Sequence, residues 1–193
     1  MRFKIPNFLT IFRIVLIPVL VVIYYLPVPH REAWITGIFI VAALTDWLDG
    51  YLARKMNATS ALGAFLDPVA DKLIVSSALV LLVSDKNVMD MVLHAIPFAI
   101  SVAIIIGREI VISALREWMA EIGERAAVAV GILGKVKTTA QMVSIILLLY
   151  GQPLFGLPIF RIGEITLYLA AGLTLWSMYE YLRAARPFLT ENS

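Results

Sequence analysis

The sequence contains no cysteine and little charge. The absence of cysteine excludes disulfide bonds and thiolate metal sites. Only 16% of the residues are charged, whereas a soluble domain carries roughly 25%. The apolar share is 61% and the mean hydropathy is +0.88, which together indicate a membrane protein. The net charge of +2 is too small to suggest a nucleic-acid partner.

Six apolar segments are each long enough to cross a bilayer, which takes about 20 helical residues. They occupy residues 8–26, 33–53, 66–84, 91–115, 127–150 and 159–183. The short connections leave no room for a soluble domain, so we predict an all-α, polytopic fold in one membrane domain over residues 1–193. The first segment resembles a signal peptide, but it is long and lacks a small-residue cleavage site, which favours a retained span.

Basic residues flank these segments unevenly, and cytoplasmic loops of membrane proteins carry the excess. One side would carry Arg2, Lys4, Arg54, Lys55, Arg116, Arg125, Arg183 and Arg186. The other side would carry Arg31, Lys86 and Arg161. We therefore predict that the first side is cytoplasmic, together with both termini.

Four aspartates form two close pairs between the second and third segments: Asp46, Asp49, Asp67 and Asp71. On a helix, Asp46 and Asp49 are about 60° apart, and Asp67 and Asp71 are about 40° apart. The two members of each pair therefore lie on the same face. Convergence of the two pairs would need a cation among them. Hard oxygen ligands favour Mg²⁺ or Mn²⁺, and two such ions would clamp a phosphoryl group. The alternative is that the aspartates are solvated and pair with Arg54, Lys55 and Lys72.

Charged residues also fall inside the apolar segments: Arg13, Arg108, Glu109, Lys135 and Lys137. In one interpretation the long cations extend to the membrane surface. In the other, they face the interior and form a basic pocket for phosphate, which arginine binds through two parallel hydrogen bonds. The second interpretation predicts that one substrate carries a phosphate.

The pattern D-x2-D-G-x2-A-R-x8-G-x3-D-x3-D is filled by Asp46, Asp49, Gly50, Ala53, Arg54, Gly63, Asp67 and Asp71. It resembles the signature of the CDP-alcohol phosphotransferases, membrane enzymes of phospholipid synthesis. The resemblance implies six transmembrane helices, a homodimer, and transfer of a phosphoalcohol group from a CDP-linked donor to an alcohol, with release of CMP.

The resemblance also implies roles for individual residues. The first three aspartates would hold two metal ions, and Asp71, also close to the metals, would act as the base. The cytidine diphosphate would be bordered by Asn7, Asp49, Gly50, Ala53, Arg54 and Gly63. Asn7 could instead only cap the first helix, and Gly63 is expected to permit the turn between the second and third segments.

Three stretches, IPNFLTIFRIVLIP, GREIVISALREWMAEIG and GKVKTTAQM, resemble the branch of the family that uses glycerol 3-phosphate. That resemblance implies CDP-diacylglycerol as donor, the bacterial inner membrane as location, and acceptor-phosphate contacts from Thr10, Arg13, Arg108 and Lys135. Two alternatives stay open. One is another acceptor, such as inositol phosphate, serine or phosphatidylglycerol. The other is a cation transporter, which would need acidic residues at mid-membrane on several helices.

Overall fold

The computed structural model describes the backbone of residues 5–56, 61–124 and 132–191, and the side chains of residues 8–48, 66, 69–124 and 134–188. This part of the chain forms seven α-helices and no strand, which confirms the all-α prediction. The helices are α1 (Ile5–Tyr25), α2 (Arg31–Met56), α3 (Ala61–Ser84), α4 (Lys86–Met91), α5 (Ala95–Glu121), α6 (Ile132–Tyr150) and α7 (Ile159–Glu191).

Each predicted apolar segment corresponds to one long helix, with three differences. The short helix α4 (Lys86–Met91) precedes the fourth predicted segment and ends at its first residue. Helix α7 continues to Glu191, past the predicted end at residue 183, because its buried stripe of Ser177, Tyr181 and Ala185 extends beyond the apolar run. The prediction that Gly63 permits a turn is wrong, because Gly63 lies within α3, which begins at Ala61.

Three helices in the described residues have both the length and the apolar composition to cross a membrane. They cover Phe8–Tyr25, Ala95–Glu121 and Ile159–Phe188. Helices α2, α3 and α6 contain 26, 24 and 19 residues, which corresponds to about 39, 36 and 28 Å at 1.5 Å per residue. By length alone, these three helices are therefore able, or nearly able, to cross a bilayer. The aspartate segment makes α2 and α3 more polar than they would be without it.

The chain divides into two compact units, one of Met1–Lys86 with Ile145–Phe160 and one of Asn87–Ser144 with Arg161–Ser193. In the first unit, α1 packs along both α2 and α3, which contact each other much less. The start of α1, the end of α2 and the start of α3 consequently lie at one end of this unit. The predicted single domain over the whole chain stays a prediction.

The opposite end of the first unit is held by polar contacts. The Tyr24 hydroxyl donates to Asp85 at 3.0 Å, and Arg31 donates to the Tyr24 carbonyl at 3.2 Å. The Arg31 guanidinium also lies 5.5 Å from the centre of the Tyr24 ring, within cation–π range. These bonds join the ends of α1 and α3 to the start of α2, about 17 Å along α1 from Arg13.

The second unit is organised around contacts between α5 and α7. Ile112 and Met119 of α5 form a buried cluster with Tyr181 and Ala185 of α7. Near the start of α7, the fully buried Glu164 accepts hydrogen bonds from the Leu93 amide, the Tyr168 hydroxyl and Arg161. Ser144 of α6 donates to the carbonyl of Gly163 at 3.1 Å. The three long helices of this unit are therefore joined by polar as well as apolar contacts.

Candidate active site

Two of the four signature aspartates converge on one buried arginine. Nη1 of Arg13, on α1, lies 2.9 Å from Oδ1 of Asp46, on α2. The same nitrogen donates to Oδ1 of Asp71, on α3. The aspartates are 25 positions apart in the sequence, and the packing of α1 against both neighbouring helices brings them together.

The arginine is buried beneath two accessible carboxylates. Its side chain is 1% exposed, whereas the side chains of Asp46 and Asp71 are 48% and 43% exposed. A guanidinium is costly to bury without a counter-charge, and the two aspartates supply it. Thr10, one turn before Arg13 on α1, is also fully buried. The interpretation in which Arg13 extends to the membrane surface is therefore wrong.

The other residues of the predicted metal and nucleotide sites have side chains outside the described part of the structure. Their backbones place Asn7 in α1, Asp49, Gly50, Ala53 and Arg54 in α2, and Gly63 and Asp67 in α3. All of them lie on the helices that carry Arg13, Asp46 and Asp71. Their predicted contacts stay predictions.

Asp46 and Asp71 fit the requirements of a divalent cation site. Their oxygens already surround one cationic nitrogen, and both side chains are accessible. Carboxylate oxygens are the ligands that Mg²⁺ and Mn²⁺ prefer. No group of three His, Asp or Glu side chains within the described residues is arranged to hold a metal. A carboxylate-only site with more than two protein ligands would thus require Asp49 or Asp67, which share helices with Asp46 and Asp71.

A second polar cluster lies inside the second unit. Arg108 occupies the midpoint of α5 and is 8% exposed. Its Nη2 donates to the hydroxyl of Ser177 on α7 at 2.9 Å, and its Nη1 donates to Glu109 at 3.2 Å. Its guanidinium lies 5.4 Å from the centre of the Tyr181 ring. The arginine predicted to contact phosphate is therefore buried and held from two helices.

Helix α6 contributes Lys137 to this cluster, and not Lys135. Lys137 is 2% exposed, and its Nζ donates to Oε1 of Glu109 at 2.5 Å. Lys135 is exposed. Residues two positions apart on a helix are rotated by about 200° around its axis, so the two lysines lie on nearly opposite faces of α6. The cluster of Arg108, Glu109 and Lys137 has two positive charges and one negative charge, a net charge of +1.

The sequence analysis assigns only Arg108 of this cluster to the acceptor site, and not Glu109, Lys137, Ser177 or Tyr181. Glu109 follows Arg108 directly, and adjacent helical residues point about 100° apart, so their order predicts no pairing. Ser177 is a neutral residue on a helix whose sequence offered no motif. The bond from α5 to α7 that reveals Ser177 is visible only in the folded unit.

Known proteins resemble this chain over most or all of its length. The sequence model of a family described as CDP-alcohol phosphatidyltransferase matches residues 3–176, which include both clusters apart from Ser177 and Tyr181. A protein of Haemophilus influenzae is 51% identical over 192 residues, which cover 100% of this chain and 98% of the relative. A protein of Escherichia coli is 48% identical over 191 residues, which cover 99% of this chain and 100% of the relative.

A third relative, from Sodalis glossinidius, is 48% identical over 192 residues and is covered completely, as is this chain. All three relatives are named CDP-diacylglycerol–glycerol-3-phosphate 3-phosphatidyltransferase. Similarity that extends from end to end, on a chain in which two of the signature aspartates pair with one buried arginine, allows one conclusion: the chain belongs to the CDP-alcohol phosphatidyltransferase family.

Proposed function

We propose that this chain transfers the phosphatidyl group of CDP-diacylglycerol to glycerol 3-phosphate, with phosphatidylglycerophosphate and CMP as products. The observation that carries the proposal is the identity of about half of all residues, over the full length, with relatives named for this reaction. The buried cluster with a net charge of +1 supports an acceptor that carries a phosphate.

In the proposed reaction Asp71 is the general base. It accepts the proton of the primary hydroxyl of glycerol 3-phosphate, and the hydroxyl oxygen attacks the phosphorus attached to diacylglycerol. A new phosphorus–oxygen bond forms, the bond from that phosphorus to the CMP phosphate oxygen breaks, and its electron pair leaves with CMP. Arg13 supports this role because it holds the Asp71 carboxylate from the buried side while leaving the side chain 43% exposed.

We assign Asp46, Asp49, Asp67 and Asp71 to hold two divalent ions, Mg²⁺ or Mn²⁺. When bound, the ions would supply positive charge to the pyrophosphate oxygens as the bond to CMP breaks. Chelation should stop CMP release, and added Mg²⁺ should restore it. Replacing Asp46 with Asn should weaken the Mg²⁺-dependent rise in the thermal unfolding temperature of the protein, and an unchanged rise would remove Asp46 from the ligand set.

We further assign Asn7, Asp49, Gly50, Ala53, Arg54 and Gly63 to the nucleotide. The acceptor phosphate is assigned to the residues that the family resemblance implies for it, Thr10, Arg13, Arg108 and Lys135. The burial of Arg108 among Glu109, Ser177 and Tyr181 supports its assignment, since such a cation is oriented before the substrate arrives. Lys135 is exposed and therefore less fixed in position than Arg108, so its contact with the phosphate is the first of these assignments to test.

The proposed setting is the bacterial inner membrane, with six transmembrane helices, both termini and the active site on the cytoplasmic side, and two copies per functional enzyme. The lengths of α1, α2, α3, α5, α6 and α7 support six spans, and the uneven distribution of basic residues supports the orientation. Chemical crosslinking of the enzyme in membranes should give a band of twice the monomer mass, and its absence would contradict the dimer.

An acceptor panel tests the proposed reaction. The purified enzyme is given labelled CDP-diacylglycerol with Mg²⁺ and, separately, glycerol 3-phosphate, inositol phosphate, serine or phosphatidylglycerol. We expect CMP and a phosphatidylglycerophosphate only with glycerol 3-phosphate. Formation of phosphatidylserine, or of product with inositol phosphate, would replace our acceptor with that one.

A further inference from the structure

Two buried cations of the second unit, Arg108 and Lys137, share a single carboxylate oxygen. Oε1 of Glu109 accepts from Lys137 Nζ at 2.5 Å and from Arg108 Nη1 at 3.2 Å. The side chains of Lys137 and Arg108 are 2% and 9% exposed. Two buried cations so close together repel each other, and the shared oxygen is what allows both to face the same volume.

We infer that Glu109 is a positioning residue, which sets Lys137 and Arg108 as a fixed pair of cations for the phosphate of the acceptor. This inference rests on the proposed function and deepens it, because it adds Lys137 to the acceptor site and gives Glu109 a role in substrate selection. Glu109 itself does not contact the phosphate, since like charges would repel.

Two observations indicate that the cluster is built for a ligand and not only for stability. Its net charge of +1 is not neutralised by the partners that the structure gives it. Nε of Arg108 is also buried and has no hydrogen-bond partner within the described residues. A buried N–H without an acceptor is unfavourable, and a phosphate oxygen would satisfy both the donor and the excess charge.

The alternative role for Glu109 is a simple counter-charge, and the two roles predict opposite effects. Replacing Glu109 with Gln raises the charge of the cluster from +1 to +2 while keeping the side-chain shape. If Glu109 only neutralised the cations, the variant would bind an anionic acceptor more tightly. If Glu109 positions them, Lys137 and Arg108 move apart and the acceptor binds more weakly.

The experiment measures kcat and the two KM values separately in the full-length enzyme with Mg²⁺. For E109Q we expect the KM for glycerol 3-phosphate to rise about tenfold or more, which corresponds to the loss of one charge-assisted hydrogen bond. The KM for CDP-diacylglycerol should stay within about twofold of the wild-type value. E109D keeps the charge on a shorter side chain and should show a smaller rise. The matched control is E117Q, the same change at an exposed position of α5, where both KM values should stay unchanged.

Each outcome decides the inference. A KM for glycerol 3-phosphate that is unchanged or lowered in E109Q would overturn it, as would parallel rises in both KM values. If E109Q does not fold, E109D decides alone. A rise in the KM for glycerol 3-phosphate without a rise in the KM for CDP-diacylglycerol supports positioning. KM values equal to those of the wild-type enzyme contradict it. If the wild-type enzyme makes no product with glycerol 3-phosphate, the proposed function itself fails, which separates that failure from the failure of Glu109 as a positioning residue.

Discussion

At the scale of single residues, the charges of this chain are meaningful only through their partners. Arg13 is buried because its Nη1 forms ion pairs with both Asp46 and Asp71. Arg108 is buried because Ser177 and Glu109 accept from it and Tyr181 lies against it. Each cation therefore contacts at least one acidic or polar group on another helix.

Removal of Arg13 should destabilise the first unit. Arg13→Ala removes a buried side chain and its hydrogen bond to a charged group, which contributes about 1.5–3 kcal/mol; the two carboxylates left behind are half-exposed and remain solvated. We expect a clear fall in the thermal unfolding temperature, measured by tryptophan fluorescence in detergent without metal. Arg183→Ala removes an exposed arginine and is the control. Equal unfolding temperatures for the two variants would contradict this role of Arg13.

Replacement of Asp71 with Asn should separate turnover from donor binding. The amide cannot accept the proton, and loss of a general base lowers rates by about 10²–10⁴-fold. We expect this loss in labelled CMP release, while equilibrium binding of labelled CDP-diacylglycerol stays largely intact. Asp90→Asn, at an exposed position of α4, should leave both measurements unchanged. Equal losses of turnover and binding in the Asp71 variant would exclude it as the base.

At the scale of helices, the face on which a residue lies decides whether it takes part in a site. Helix α6 carries Lys135 and Lys137 on nearly opposite faces, and only Lys137 is buried. Helix α7 contributes Ser177 and Tyr181 to the charge cluster, and Glu164 to the contacts at its other end. One helix thus supports both the candidate acceptor site and the packing of the second unit.

Glu164 should contribute to stability and not to catalysis. It accepts from the Leu93 amide and the Tyr168 hydroxyl at 2.8 Å each, and it pairs with Arg161. Glu164→Gln removes the charge of this buried acceptor, and we expect a loss of about 1–3 kcal/mol in the free energy of unfolding. The unfolding temperature should fall while both KM values stay unchanged. Glu180→Gln, at an exposed position of α7, is the control; a selective change in either KM would contradict a purely structural role.

At the scale of the whole molecule, the absence of cysteine makes the orientation directly testable. A single cysteine can be introduced into an otherwise thiol-free chain at the exposed positions 124 and 152. The proposed topology places Glu124→Cys on the cytoplasmic side and Gln152→Cys on the outer side. We expect a membrane-impermeant maleimide to label only the second variant in intact cells and both variants in broken cells. The reverse pattern would invert the proposed orientation.

Much of the helical framework was predictable because long apolar runs allow few alternatives in a bilayer. The extension of α7 was not, since residues 184–191 are too polar for an apolar average and their helix depends on buried contacts of Tyr181 and Ala185. Gly63 was assigned to a turn for a similar reason: glycine favours turns locally, but α3 begins before it. For α7, packing outweighed local preference.

The sequence by itself determined the all-helical membrane character, the spacing of the aspartates and the family, because these depend on composition and on order along the chain. Only the tertiary structure decided which charges meet. It placed Arg13 between Asp46 and Asp71, and it selected Lys137 over Lys135 as the partner of Glu109. The physical reason is that an ion pair between helices depends on which faces pack together, and a linear sequence does not state how its helices are rotated.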